Sequence, residues 1–305
     1  MNGERGSGMA AAVIEGFADF RGWRTWYRVT GDLASGKPPL VTLHGGPGFA
    51  HDYLLRLTAL AEDGRAVIHY DQLGAGRSSH LPDRGADFWQ PQLMIDELAN
   101  LLRHLRLEGG YHLLGQSWGG MLGAEHAALQ PAGLRSLVIA NSPASMALWL
   151  AEANRLRADL PPDVQATLLH HEAAGSTDSQ AYQDAVRVFY DRHVCRVPWP
   201  PELAASFAAV EADPTVYHTM NGPSEFHCIG TIRDWSIIDR LPRIKVPTLL
   251  ISGRYDEATP AVVQPFADGI SEVRWKIFEN SSHLPHIEET EAFLPVVAAF
   301  LAEHD

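Results

Sequence analysis

Residues 115–120 read Gly-Gln-Ser-Trp-Gly-Gly and directly follow the apolar run Tyr111-His112-Leu113-Leu114. This small-x-Ser-x-small hexad, set between a predicted strand and a predicted helix, constrains the whole chain. The turn it demands is too sharp for side chains on its flanks, because a Cβ there would clash with the neighbouring strand and helix. Such a turn lifts the Ser117 hydroxyl out of a sheet edge. Ser117 is therefore a candidate nucleophile, and the rest of the chain can be searched for its partners.

The surrounding pattern supplies the sheet. Short apolar runs recur at Leu40-Val41-Thr42-Leu43, Ala66-Val67-Ile68-His69-Tyr70, Leu137-Val138-Ile139-Ala140, Thr248-Leu249-Leu250-Ile251 and Val273–Phe278, and residues 22–29 alternate like an early hairpin strand. Helical stretches are expected between them. In the stretch of about 88–106, Met94, Leu98, Leu101 and Leu105 form one apolar stripe, and another helix is expected over about 119–129. Short buried strands alternating with helices predict an α/β architecture, a mostly parallel central sheet covered on both faces. Between about 143 and 240 the rhythm breaks, with Pro161, Pro162, Pro198, Pro200, Pro201 and Pro214 and no buried-strand run. This segment is expected to be a helical cap inserted into a core made of 1–142 and 241–305.

The chain has 305 residues and a net charge of −13, which disfavours nucleic acid and anionic membrane as partners. The two cysteines imply no disulfide framework. The beginning, MNGERGSGMAAAVIEGF, lacks the basic and apolar regions of a secretory leader, and no run approaches membrane-spanning length. A cytoplasmic location is the expectation. The fifteen histidines make no His-x-x-x-His pair with a helical Glu and no Cys/His knuckle, and the adjacent His170-His171 would face different sides of a helix. No metal or cofactor is expected.

A serine hydroxyl needs a base, usually histidine, and the base needs a carboxylate to fix its tautomer. In the α/β-hydrolase fold these arrive in the order Ser, Asp, His, each at a strand's C-terminal end. After the strand at 248–251 comes Ser252-Gly253-Arg254-Tyr255-Asp256-Glu257, and after 273–278 comes Asn280-Ser281-Ser282-His283. Ser117, Asp256 and His283 are the expected triad, with His286 and Glu257 as rivals for base and orienting acid. The developing oxyanion needs two backbone donors. One is the N–H of the residue after the nucleophile, Trp118; the other comes from the glycine-rich turn His44-Gly45-Gly46-Pro47-Gly48, with Gly46 as the expected donor.

That turn, the stretch Asp71-Gln72-Leu73-Gly74-Ala75-Gly76-Arg77-Ser78 and the serine hexad together resemble the proline iminopeptidase family of α/β hydrolases, over almost the whole chain. His51-Asp52-Tyr53-Leu54-Leu55, Met220-Asn221-Gly222-Pro223-Ser224-Glu225-Phe226 and Gly230-Thr231-Ile232-Arg233-Asp234-Trp235 resemble its branch of tricorn-interacting aminopeptidases and amino-acid amide hydrolases. The resemblance implies that Glu225 and Glu257 hold the free α-amino group of a small peptide or amino-acid amide. Two carboxylates at one end of a pocket suit a compact cation and would offer nothing to an acylated terminus. The implied activity is serine exopeptidase, releasing proline or another apolar N-terminal residue through an acyl-enzyme.

An amino-acid amide hydrolase acting on, for example, prolinamide is the near alternative. A carboxylesterase or C–C hydrolase would use the same triad but has no need for Glu225 and Glu257. A haloalkane dehalogenase is disfavoured because its nucleophile is Asp. A catalytically dead receptor would usually lack the base. Phe226, Trp149 and Tyr217 are candidates for either pocket wall or cap core.

Overall fold

The computed structural model describes residues 12–305, so most of the stretch MNGERGSGMAAAVIEGF lies outside the described residues. Eight strands form one sheet: β1 (Val13–Phe20), β2 (Trp23–Thr30), β3 (Leu40–Leu43), β4 (Val67–Tyr70), β5 (Tyr111–Gln116), β6 (Leu134–Ala140), β7 (Thr248–Gly253) and β8 (Val273–Phe278). Their spatial order is β1-β2-β4-β3-β5-β6-β7-β8. The first two strands are an antiparallel hairpin laid against β4, and every pair from β4 to β8 is parallel.

Period-two alternation sorts the strand side chains between two cores. Val41, Leu43, Leu113, Leu137, Ile139 and Leu250 face one core. Leu40, Leu114, Val138, Leu249 and Ile251 face the other. A sheet buried on both faces needs apolar residues at nearly every position, which is why these strands read as continuous runs.

Helices close both faces. Helices α1 (Pro91–His104) and α2 (Trp118–Ala128) contribute Leu98, Leu101, Met121 and Leu122 to the first core. Leu105, placed on the apolar stripe by its spacing, caps α1 instead and is only partly buried. On the second face a 3₁₀ segment, Asp52–Asp63, packs Leu54 and Leu57 beside residues from the end of the chain.

Between β6 and β7 run α3 (Met146–Arg157), α4 (Pro162–Ala174), α5 (Gln180–His193), α6 (Pro201–Ala212) and α7 (Thr215–Met220). Pro162 and Pro201 occupy the first positions of their helices, where the missing N–H is no loss and the fixed φ favours the turn. The remaining helices are α8 (Pro260–Gly269), α9 (Pro285–Glu288) and α10 (Thr290–Ala302). Among the described residues no helix is long and apolar enough to cross a membrane.

Strand order places the site. From β3 the chain moves to β4 on one side, then crosses to β5 on the other. The loops leaving β3 and β5 therefore diverge, and a crevice opens at their C-terminal ends.

Candidate active site

Ser117 stands in that crevice, between β5 and α2, with φ 56° and ψ −124°. Positive φ is strained for serine and is held by its surroundings. Its N–H donates to the Ala140 carbonyl (2.9 Å), and its own carbonyl accepts from Ser142 Oγ (2.8 Å). The turn closes tightly enough that a Cβ on Gly115 would collide with the Gly119 carbonyl, and one on Gly119 with the Leu43 carbonyl.

His283 follows β8 and turns Nδ1 toward Asp256 Oδ1, 2.7 Å away. Asp256 follows β7 and is buried; its Oδ1 also accepts from the Ala258 N–H (2.8 Å), and its Oδ2 from Asn141 Nδ2 (2.6 Å). Burial opposes a charge on His283, but the Asp256 carboxylate, with Glu225 and Glu288 behind it, outweighs that and holds its pKa above the ordinary histidine value. The rival His286 contacts the Tyr53 carbonyl through Nε2 (3.1 Å), and burial drops its pKa to about 3. The other rival, Glu257, lies on the Nε2 side of His283 rather than at Nδ1.

Two cavities meet at Ser117. Gly46, Ser117 and Glu225 line both. The first continues past His283 and Glu257 to Phe49, Leu203 and Phe207. The second is walled by Trp118, Met121, Met146, Trp149 and Ile232. Trp149 thus serves as wall, whereas Phe226 is buried in the cap beneath the Arg157 guanidinium, 4.7 Å from the ring centre. Tyr217 donates its hydroxyl to Glu225 Oε1 (2.6 Å).

The two glutamates differ. Glu225 hangs from the segment after α7, held by Tyr217 and by the Trp149 indole on its carbonyl (2.7 Å). Burial raises its pKa, with the Tyr217 hydroxyl and His283 acting against. Glu257 has no exposure, and neither carboxylate oxygen has a hydrogen-bond partner. Burial, then the charges of Glu225 and Asp256, push its pKa well above the usual carboxylate range.

Sequence reasoning did not single out three residues that brace this arrangement. Asn141, at φ 56°, ties Asp256 to the Ser282 carbonyl (3.3 Å). Tyr53 Oη accepts the Gly45 N–H (2.6 Å) and donates to Gln116 Oε1 (2.7 Å), while Gln116 Nε2 reaches the His283 carbonyl (3.1 Å). Glu288 accepts the N–H groups of Ser282 (2.7 Å) and Leu284 (3.3 Å), on either side of His283. The one local signal was Asn141, a polar residue closing the apolar β6.

Residues 38–290 match the sequence profile of the alpha/beta hydrolase fold. A proline iminopeptidase of Clostridium botulinum is 37% identical over 96% of this chain and 99% of its own length. The chain belongs to the proline iminopeptidase family of α/β hydrolases. A second family member, the proline iminopeptidase of Lactobacillus helveticus, is also 37% identical, again over 96% of this chain and 99% of its own. Among solved structures, the crystal structure of VinJ is 61% identical with a TM-score of 0.94, covering 96% of this chain and 99% of its own. The proline iminopeptidase of Mycobacterium smegmatis is 54% identical with a TM-score of 0.88, covering 95% and 98%.

Proposed function

We propose that this proline iminopeptidase family member is a serine exopeptidase that releases an N-terminal residue, proline foremost, from small peptides or amides through an acyl-enzyme. The observation that carries the reading is Glu257. A fully buried acid with no hydrogen-bond partner on either oxygen, beside a second acid in the same cavity, carries its charge only when a cation arrives. A substrate ammonium provides that cation, and acylation of the terminus removes it.

In this reading Ser117 attacks the first carbonyl while His283 takes its proton, and Asp256 holds the imidazole by Nδ1. The oxyanion forms between two N–H groups. Trp118 opens α2, where the first N–H groups lack intrahelical partners and the helix dipole favours negative charge. The Gly45 N–H is taken by Tyr53 Oη, which leaves Gly46 as the donor from the other loop. His283 then returns the proton to the leaving nitrogen. That nitrogen must lie within reach of His283 Nε2, and the ammonium, held by Glu225 and Glu257, places the N-terminal residue in the first cavity, which both glutamates line. Water resolves the acyl-enzyme by the same route.

We take residues 143–240 as the cap that delivers Glu225 and part of the wall of each cavity, over a core of 1–142 and 241–305, and the cytoplasm as the place of action. The test compares proline and alanine p-nitroanilides, prolinamide, short peptides, their N-acetylated forms and p-nitrophenyl acetate, on wild type and Ser117→Ala. Free-amine substrates should turn over and acetylated ones should not. Equal turnover of acetylated substrates removes the amine-binding role of Glu225 and Glu257, and undiminished turnover by Ser117→Ala removes the triad.

A further inference from the structure

The stretch Asp71–Ser78 carries part of the family resemblance, yet none of its residues lines either cavity beside Ser117. Asp71 ties the stretch to itself and to His51. Asp71 Oδ1 accepts from both the N–H and Nδ1 of His51 (2.8 Å each), and its Oδ2 from the Arg77 N–H (2.9 Å). Gln72 does something else.

Gln72 follows β4, and the sheet order here is β4-β3-β5. Its side chain reaches across the end of β3 to the loop after β5. Nε2 donates to the His44 carbonyl (3.0 Å), and Oε1 accepts from the Trp118 indole N–H (2.8 Å). Its main-chain N–H donates to His44 Nε2 (2.9 Å), and His44 Nδ1 faces the Gly45 carbonyl (3.0 Å). The amide can point only one way, because a carbonyl only accepts and an indole N–H only donates. Gln72 is 1% exposed, so water cannot stand in for any of these bonds.

One partner, His44, leads directly into Gly45-Gly46. The other, Trp118, carries the second oxyanion donor on its own backbone. We propose that Gln72 is a positioning residue that fixes the separation of the Gly46 and Trp118 N–H groups by bridging the two loops that carry them. The proposal rests on the assignment of those two donors above, and not on which substrate the enzyme takes. Donors of this kind act by being held in place before charge develops, so loosening their frame lowers the rate of the chemical step without weakening ground-state binding.

The test uses Gln72→Met, which keeps length and removes both side-chain bonds, and Gln72→Glu, which keeps the acceptor and loses the donor when ionised. Rates are read on proline p-nitroanilide and p-nitrophenyl acetate, with affinities for prolineboronic acid, whose tetrahedral adduct occupies the oxyanion site, and for pyrrolidine, which has no carbonyl or carboxylate to place there. For Gln72→Met, kcat should fall roughly tenfold to a hundredfold on both substrates with KM within about twofold, and boronate affinity should fall in parallel while pyrrolidine affinity holds. For Gln72→Glu, the rate should be retained at low pH and lost as the introduced carboxyl ionises against the His44 carbonyl, a limb the wild type lacks. Unchanged kcat in Gln72→Met, or a loss shared equally by kcat, KM and both affinities, overturns the proposal. Should Gln72→Met not fold, Trp118→Phe removes the indole end of the bridge while also trimming the wall of the second cavity, so it is read on kcat for the small ester p-nitrophenyl acetate; the same loss is expected, and an unchanged kcat is equally fatal. A wild type that cleaves the ester but not the anilide removes the exopeptidase reading and leaves the comparison on the ester intact.

Discussion

His283 Nε2 lies 3.8 Å from Oε1 of Glu257. In the proposed reaction that nitrogen exchanges a proton with Ser117 and with the leaving group. An ionised, unpaired Glu257 at this distance would hold the imidazole as imidazolium and spoil it as a base. A substrate ammonium between Glu225 and Glu257 removes the difficulty, because it occupies the charge of Glu257 while the reaction runs. On the proposed reading, recognition of the amine and readiness of the base are linked through one carboxylate.

Glu257→Gln isolates that carboxylate. Losing a charge-assisted hydrogen bond of about 1.5–3 kcal/mol should lower kcat/KM on proline p-nitroanilide roughly tenfold to a hundredfold. Stability should move the other way. The folded-state pKa of Glu257 is raised, so the unfolded chain releases this proton first, and the native state loses stability as pH rises from the ordinary carboxylate range through the raised value. The glutamine variant lacks that loss. Its Tm relative to wild type should therefore climb between pH 5 and pH 8, and a constant difference across that range would show that Glu257 is not buried as an acid.

The pH profile of kcat/KM reports on His283. Its pKa is held above the ordinary value of about 6.5, chiefly by Asp256 acting against burial, so the acid limb should fall above that value. For a substrate with a primary α-amine, the alkaline limb should fall near its free pKa of about 8, where the ammonium is lost. Asp256→Asn should displace the acid limb downward and cut the rate on the order of 10⁴-fold, since an amide at this position favours the wrong tautomer. An acid limb that stays in place would separate Asp256 from the base.

Asn141 gives a way to divide stability from catalysis. Its Nδ2 donates to Asp256 Oδ2 at 2.6 Å, from a backbone at φ 56°. Asn141→Ala should lose about 1.5–3 kcal/mol for a hydrogen bond to a charged group and about 1 kcal/mol more for alanine at positive φ. Asn141→Gly should recover the second part alone. In thermal melts the glycine variant should lie between alanine and wild type, while both variants share the same reduced kcat. Full recovery of kcat by glycine would make Asn141 a backbone requirement only.

These residues also mark where the sequence could be read and where it could not. The strands were legible because burial on both faces leaves an unbroken apolar run, and Ser117, Asp256 and His283 because each ends such a run. The prolines of 143–240 read as breaks in a rhythm, and two of them open helices, since proline at a first helical position and proline in a loop look alike in one dimension. The roles of Tyr53, Gln72 and Glu288 were opaque for a different reason. The partners of Tyr53 span from Gly45 to Gln116, and those of Gln72 from His44 to Trp118. A polar side chain whose role lies in a distant partner leaves no local period or spacing. The 3₁₀ segment Asp52–Asp63 escaped similarly, because its turns do not follow the 3.6-residue repeat.

Gly119 tests the elbow as a packed object rather than as a motif. A Cβ there would collide with the Leu43 carbonyl and lie 2.9 Å from the His44 carbonyl, both main-chain atoms that cannot rotate away. Relief requires α2 to move off β3, which would shift the Trp118 N–H with it. Gly119→Ala should therefore destabilise by at least about 1–3 kcal/mol, the usual range for overpacking, and lower kcat more than KM. Gly109→Ala is the matched control, since a Cβ there meets nothing within 4 Å. It should be neutral or stabilising by about 0.4–1 kcal/mol through the unfolded chain, with kinetics unchanged. Thermal melts of the two variants beside wild type, with kcat and KM for each, decide the matter: equal effects at both positions would mean that the close approach of α2 to β3 does not set the geometry of the oxyanion site.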